Sequence, residues 1–302
     1  MQSKFFLNRI FKYLDERFNL LQFISLSLIL AGFIGVSTQL YLFNKISLLP
    51  IFLSTVALFL FLFRLRIFDE FKDYSHDIKH YPNRPISNGL VTLKELRLIF
   101  FPAIFLEIIL ALYLGKIIFI FFSISLLYSL LMFKEFFITD WLRKHFSTYI
   151  FSHEILVIPL FYYLCSINGL KSYSEHTLFF LNLVICTGSF MFLLEIARKV
   201  RPKELEVASR DTYTAQYGIL GASLLLLTVS ILSKFTLIFN FYLLKGSFFV
   251  ITIISLSSLA YLLIDIYRFY KSKSHHTAKR VFKASIIFSV VNLVASVVLS
   301  II

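Results

Sequence analysis

Nine stretches of about twenty apolar residues run through this 302-residue chain, at roughly 20–42, 46–67, 95–114, 117–133, 149–167, 178–197, 215–234, 246–267 and 281–302. A helix of about twenty residues matches the hydrocarbon thickness of a bilayer. Backbone in lipid must satisfy its own hydrogen bonds, which leaves helices or closed barrels. None of the nine stretches alternates like a barrel strand. Composition agrees, with 58% of residues hydrophobic and only 16% charged, against about a quarter charged in a soluble domain. The expected fold is an all-α polytopic membrane protein with nine transmembrane helices.

A formal net charge of +13 would raise nucleic acid as a partner of a soluble chain. Here the placement of the charges decides otherwise. With the N-terminus taken as cytoplasmic, 25 of the 30 Lys and Arg, Arg64 among them, fall in residues 1–19 or in and beside the connections after spans two, four, six and eight. Only Lys45, Lys116, Lys171, Lys234 and Lys245 fall on the other face. That bias predicts a cytoplasmic N-terminus. The positive charge becomes a topology signal with some attraction to membrane lipid, and no nucleic acid partner is expected. The basic segment 1–19 resembles the front of a signal peptide, but the apolar run after it is too long and ends in no small-residue cleavage site. It is read as a retained cytoplasmic helix. Cys165 and Cys186 both lie in spans, which favours packing over a disulfide.

No Gly/Ser or Pro linker divides the chain, so 1–302 reads as one membrane domain. Its long polar connections are 68–94, 134–148, 198–214 and 268–280, longer than bundle loops usually are. A repeat of four spans is visible. Span two runs into "RIFDEFKDYSHD" and span six into "FLLEIARKVRPKELE", with Asp69 and Glu195 as counterparts. An even number of spans separates them, so both open on the cytoplasmic side.

The stretch "DEFKDYSHD" places Asp69, Asp73 and Asp77 at steps of four. On a continuous helix each step turns about 400°, so the acids form one stripe of like charges that repel unless neutralised. Two readings fit. One is a solvated helix whose acids pair with Lys72 and Lys79. The other is a divalent-cation site, since Mg²⁺ is typically held by one or two carboxylates and completes its shell with water and substrate phosphate. Acids at the mouth of an apolar bundle suit a substrate with a phosphorylated head and a lipid tail. In the following "NRPISNG", Pro85 and Gly89 predict a bend that folds Arg84 back toward the acids, where a guanidinium can grip phosphate bidentately.

Other polar residues carry weaker signals. Glu107 lies inside span three, where an ionisable group suggests function or a buried partner: it faces a cavity or makes an interhelical hydrogen bond. His76 and His80 have zinc-compatible spacing without a matching further ligand. His153 and Glu154 stand where span five begins, against headgroups or an acceptor. Asp265 is expected to pair with Arg268.

These features together resemble the UbiA superfamily of intramembrane prenyltransferases, whose nine helices carry acidic motifs after helices two and six. The first motif, N/D-D-x-x-D-x-x-x-D, is similar to Asp69, Glu70, Asp73 and Asp77, and the R-P-L-x-x-G segment to Arg84, Pro85 and Gly89. "YSLLMFK" resembles the stretch after helix four, through Tyr128, Ser129 and Lys134. The second motif departs from the pattern: Glu195 matches its first acid, but Lys199 stands where the next acid belongs, and Glu204, Glu206 and Asp211 follow. Either Glu195 joins one of these later acids at a second metal, or Arg198, Lys199 and Arg201 meet the diphosphate directly.

The resemblance implies a helical bundle around a central cavity open to the cytoplasmic side. It also implies Mg²⁺-dependent transfer of a prenyl group from an allylic prenyl diphosphate to a hydrophobic or aromatic acceptor at the membrane. Metal ligands would come from Asp69, Glu70, Asp73, Asp77, Glu195, Glu204 and Asp211. Diphosphate contacts would come from Arg84, Lys134, Arg198 and Lys199. Aromatic faces would stabilise the allylic cation. Alternatives are a phosphoribosyl diphosphate donor with a polyprenyl phosphate acceptor, cyclisation of a prenyl diphosphate, or a non-catalytic lipid-binding or transport role.

Overall fold

The computed structural model describes residues 2–206, 212–244 and 248–301. The helices, in order, are α1 (Gln2–Arg17), α2 (Leu20–Phe43), α3 (Leu48–Lys72), α4 (Tyr74–His80), α5 (Leu93–Leu114), α6 (Lys116–Phe133) and α7 (Thr139–Lys144). They continue as α8 (Phe146–Glu154), α9 (Val157–Ile167), α10 (Thr177–Arg198), α11 (Tyr213–Leu243), α12 (Phe248–Ser272) and α13 (His275–Ile301). Among the described residues, nine helical spans are long and apolar enough to cross a membrane: α2, α3, α5, α6, α8 with α9, α10, α11, α12 and α13. The protein is an integral, multi-pass membrane protein.

The chain forms two compact units, one comprising residues up to Gly35 with Ser47–Gly169, the other Val36–Ile46 with Leu170 onward. Each contains a ring of four spans. In the first, α3 packs on α5, α5 on α6, α6 on α9, and α9 back on α3. In the second, α10, α11, α12 and α13 follow the same order, and α13 returns to α10. The four-span repeat read from the two acidic stretches is thus a repeat of architecture. Asp69 and Glu195 end the first span of each ring.

Small and polar residues set the contacts, as expected where lipid tails remove the hydrophobic drive between helices. A Cβ on Gly35 would lie 2.8 Å from the Asn168 side chain and 2.9 Å from that of Ile51, so glycine is what lets α2 approach α3 and α9. Asn168 donates to Ser54 in the first unit. Asn240 donates to Ser37 and Asn292 to Ser258 in the second. Cys165 and Cys186 are buried, and no disulfide joins them.

Two sequence expectations need correction. Arg64, counted with the connection after span two, lies inside α3 and is fully buried. The acid stripe is not one continuous helix, because α3 ends at Lys72 and the chain bends at Asp73 before α4. The long connection 134–148 holds a compact turn over Glu135–Phe137 and the helix α7.

Candidate functional site

The acidic segment is built where α3 leaves its ring. The backbone amide of Asp73 donates to Asp69 and that of Asp77 to Asp73, each at 2.8 Å. Both contacts have the i to i−4 spacing of an α-helix. The four-residue spacing of the acids therefore survives the bend at Asp73.

The four carboxylates of the segment have different environments. Glu70 is buried and accepts hydrogen bonds from Arg17 of α1 at 2.8 Å and from Arg66 at 2.6 Å. Asp77 is also buried, and accepts from Arg84 at 2.5 Å with Arg17 at 3.5 Å. Asp69 is exposed, and among the described residues its one ion-pair contact is a long one to Arg66 at 3.7 Å. Asp73 is exposed, and no ion pair holds it among the described residues. Although solvent reaches Asp73, the surrounding protein mass holds its carboxyl above the ordinary range. Lys72 opposes the shift, and Asp77 and Glu135 add to it.

Arg84 reaches Asp77 because of the turn that carries it. The amide of Asn88 donates to the Arg84 carbonyl and that of Val91 to Pro85. The turn closes through Gly89 at φ +77°, a conformation that favours glycine. The guanidinium lies over the Tyr81 ring, 3.8 Å from its centroid. Helix α1 completes the support: Ile10 and Tyr13 form a buried cluster with Ile86, Val91 and Leu96. Arg9 of α1 pairs with Glu95, which forms a capping box with Thr92 at the start of α5.

Deeper in the same unit, the Nε of Arg64 donates to Glu107 at 2.7 Å and its Nη1 to Ser129 at 2.5 Å. Phe61 and Phe68 cover the guanidinium at 4.7 and 5.5 Å. The partner of Glu107 is therefore an arginine inside α3. Ser129 belongs to this cluster, and the Tyr128 hydroxyl donates to the Ser152 carbonyl at 2.7 Å. Lys134 is exposed at the end of α6, beside the Phe133 ring.

In the second unit, Glu195 pairs with Arg198 at 2.7 Å and Lys199 at 2.8 Å, all near the end of α10. Glu204 is exposed, and Asp211 lies outside the described residues. Glu206 accepts from the hydroxyls of Thr212 and Thr214 at 2.5 and 2.6 Å, and Thr212 caps α11. Asp265 pairs with Arg268 at 3.2 Å as expected, and also with Arg280 at 3.0 Å. The rings of His76 and His80 lie 4.5 Å apart, with His76 leaning on Asp77.

Among the described residues, no three His, Cys, Asp or Glu side chains group closely enough to hold a metal by themselves. Magnesium asks for less, needing one or two carboxylates and otherwise water and phosphate. Asp69 and Asp73, accessible and lightly paired, fit that requirement. Glu70 and Asp77 fit it only if guanidinium partners are displaced.

No protein-family model matches the sequence, and no curated protein matches it. Solved structures do match. A digeranylgeranylglyceryl phosphate synthase is similar over 97% of this chain and 99% of its own, at 20% identity and a TM-score of 0.60. A UbiA homolog from Aeropyrum pernix K1, in its apo form, is similar over 92% of this chain and 99% of its own, at 14% identity and a TM-score of 0.63. The chain has the fold of these two proteins.

Proposed function

We propose that this protein is an intramembrane prenyltransferase of the UbiA superfamily. It would move a prenyl group from an allylic prenyl diphosphate to a hydrophobic or aromatic acceptor at the cytoplasmic side of the membrane. The observation that carries the reading is the pair of accessible carboxylates, Asp69 and Asp73, one helical turn apart beside the Arg84–Asp77 pair. It stands on a chain with the fold of a UbiA homolog.

Asp69 and Asp73 would hold Mg²⁺, which when bound supplies charge neutralisation and Lewis acidity at the leaving diphosphate. Asp77 orients Arg84, whose remaining donors are free for phosphate oxygens. Fixed positive charge of this kind acts where negative charge develops. The donor's C1–O bond breaks with its electron pair leaving on the diphosphate, the acceptor bonds to C1, and the acceptor loses a proton. Lys134 is a further cation for the diphosphate. Arg198 and Lys199 spend their charge on Glu195, so the reading draws its principal contacts from the first unit.

The test is diphosphate release by the purified protein in lipid from a panel of allylic prenyl diphosphates, with phosphoribosyl diphosphate alongside and membrane extract as acceptor source. Release is expected from an allylic donor, to need Mg²⁺, and to disappear in Asp73→Asn. Release from phosphoribosyl diphosphate alone would replace this reading with the phosphoribosyl one.

A further inference from the structure

Helix α6 ends at Phe133, and the next three residues after Lys134 do something side chains resist. Glu135, Phe136 and Phe137 have φ of +45°, +53° and +61°. A Cβ in that region crowds the following carbonyl, and only glycine, with occasional Asn or Asp, visits it routinely. Three such residues in succession, none of them glycine, require the surrounding structure to impose the turn.

The turn buries Glu135 and brings its Oε1 to 3.0 Å from the Nζ of Lys72. Lys72 is the last residue of α3, immediately before Asp73. Its ammonium also donates to the Tyr149 hydroxyl of α8 at 3.4 Å. An ammonium has three donors, so one remains, and the side chain keeps 16% of its exposure. Glu135 is thus tied to the residue that directly precedes Asp73. A tie between α3 and a loop would need neither a left-handed turn nor a cation adjoining the open carboxylates.

We propose that Lys72 is a further diphosphate-contacting residue, and that Glu135, delivered by the left-handed turn, is its positioning residue together with Tyr149. The inference rests on the reading that a diphosphate comes to Asp69 and Asp73. Lys72 reaches the anion with its remaining donor. Glu135 and Tyr149 fix the flexible stem so that little freedom is lost when the anion arrives.

The experiment measures binding of inorganic diphosphate with Mg²⁺ to the full chain in phosphatidylcholine nanodiscs, and then donor KM and kcat in turnover. Lys72→Met and Glu135→Gln are each expected to weaken diphosphate binding about tenfold, the scale of one charged hydrogen bond. Lys72→Arg is expected to recover part of the loss. Glu135→Gln made on top of Lys72→Met is expected to cost nothing more. Tyr149→Phe removes one hydroxyl without disturbing the turn and is expected to weaken binding about threefold.

In turnover, the loss is expected in donor KM, with acceptor KM unchanged. The inference is overturned if Glu135→Gln lowers thermal stability and leaves diphosphate affinity intact, or if it still costs affinity in the Lys72→Met background. It is equally overturned if Glu135→Gln fails to fold and Tyr149→Phe binds like the parent. Diphosphate binding that depends on Lys72 without any allylic turnover would sink the proposed function and leave this inference standing. A parent protein that binds no diphosphate would sink both.

Discussion

Removing Glu107 should be among the most damaging single changes to this protein, and the damage should vanish when Arg64 goes with it. Arg64 is 0% exposed, and its charge is met by one carboxylate, 2.7 Å away. Among the described residues its Nη2 has no hydrogen-bond partner. Glu107→Leu would leave a buried guanidinium supported only by Ser129 and two aromatic faces. Breaking a buried pair from one side typically costs about 3–5 kcal/mol, whereas replacing both partners with apolar groups is often neutral or stabilising. A carboxyl can discharge itself by taking a proton and a guanidinium cannot, so Arg64→Met should cost less than Glu107→Leu. The double variant Arg64→Met/Glu107→Leu should return to within about 1 kcal/mol of the parent. The assay is reversible unfolding in mixed micelles, read as a double-mutant cycle. A Glu107→Leu variant within about 1 kcal/mol of the parent, or a double variant as unstable as the two singles added together, would refute the argument.

Three further outcomes follow from the same geometry. The Tyr13 hydroxyl is buried without a hydrogen-bond partner among the described residues, and burial holds it above its ordinary range; Tyr13→Phe should therefore raise stability by about 1 kcal/mol in thermal melts, and a loss would contradict it. The raised Asp73 carboxyl takes a proton sooner as pH falls. Metal-dependent activity should thus decline on acidification at a higher pH than an ordinary carboxylate of about 3.9 would give, and more Mg²⁺ should move that limb to lower pH. In metal-free protein the sign reverses for stability: a raised carboxyl means the folded state holds more protons, so this group's contribution falls as pH rises from about 3.9 toward the folded value. Arg84→Lys keeps the charge but loses the planar fork shared by Asp77 and phosphate; donor KM should rise about tenfold with thermal stability little changed.

Period and length made the membrane architecture legible, because a span is a local property of about twenty consecutive residues. The bend that returns Arg84 to Asp77 was legible for the same reason: Pro85 and Gly89 act on their own neighbourhood, and the pair is seven residues apart. Asp265 shows where such reading stops. Its i+3 partner Arg268 was expected, while Arg280, fifteen positions away across the α12–α13 hairpin, was not. The Arg64–Glu107 pair joins residues 43 positions apart. A basic residue eight places before the end of a span gives no local sign of whether it lies inside the helix or beyond it. The turn at Glu135–Phe137 was invisible, since no glycine or asparagine announces it. Its cause is tertiary, a carboxylate drawn to Lys72 and buried there. Glu70, which the motif pattern would make a metal ligand, is instead held by Arg17, from a helix whose docking no local signal predicts.

The central claim is transfer, and its most direct measurement follows a labelled prenyl group. Purified protein in lipid, supplied with prenyl diphosphate labelled at C1, Mg²⁺ and membrane extract, should move label into the organic phase. One diphosphate should be released per label transferred, and Asp73→Asn should move none. Label that stays with the diphosphate for every allylic donor tried, or that moves equally well with Asp73→Asn, would contradict the account.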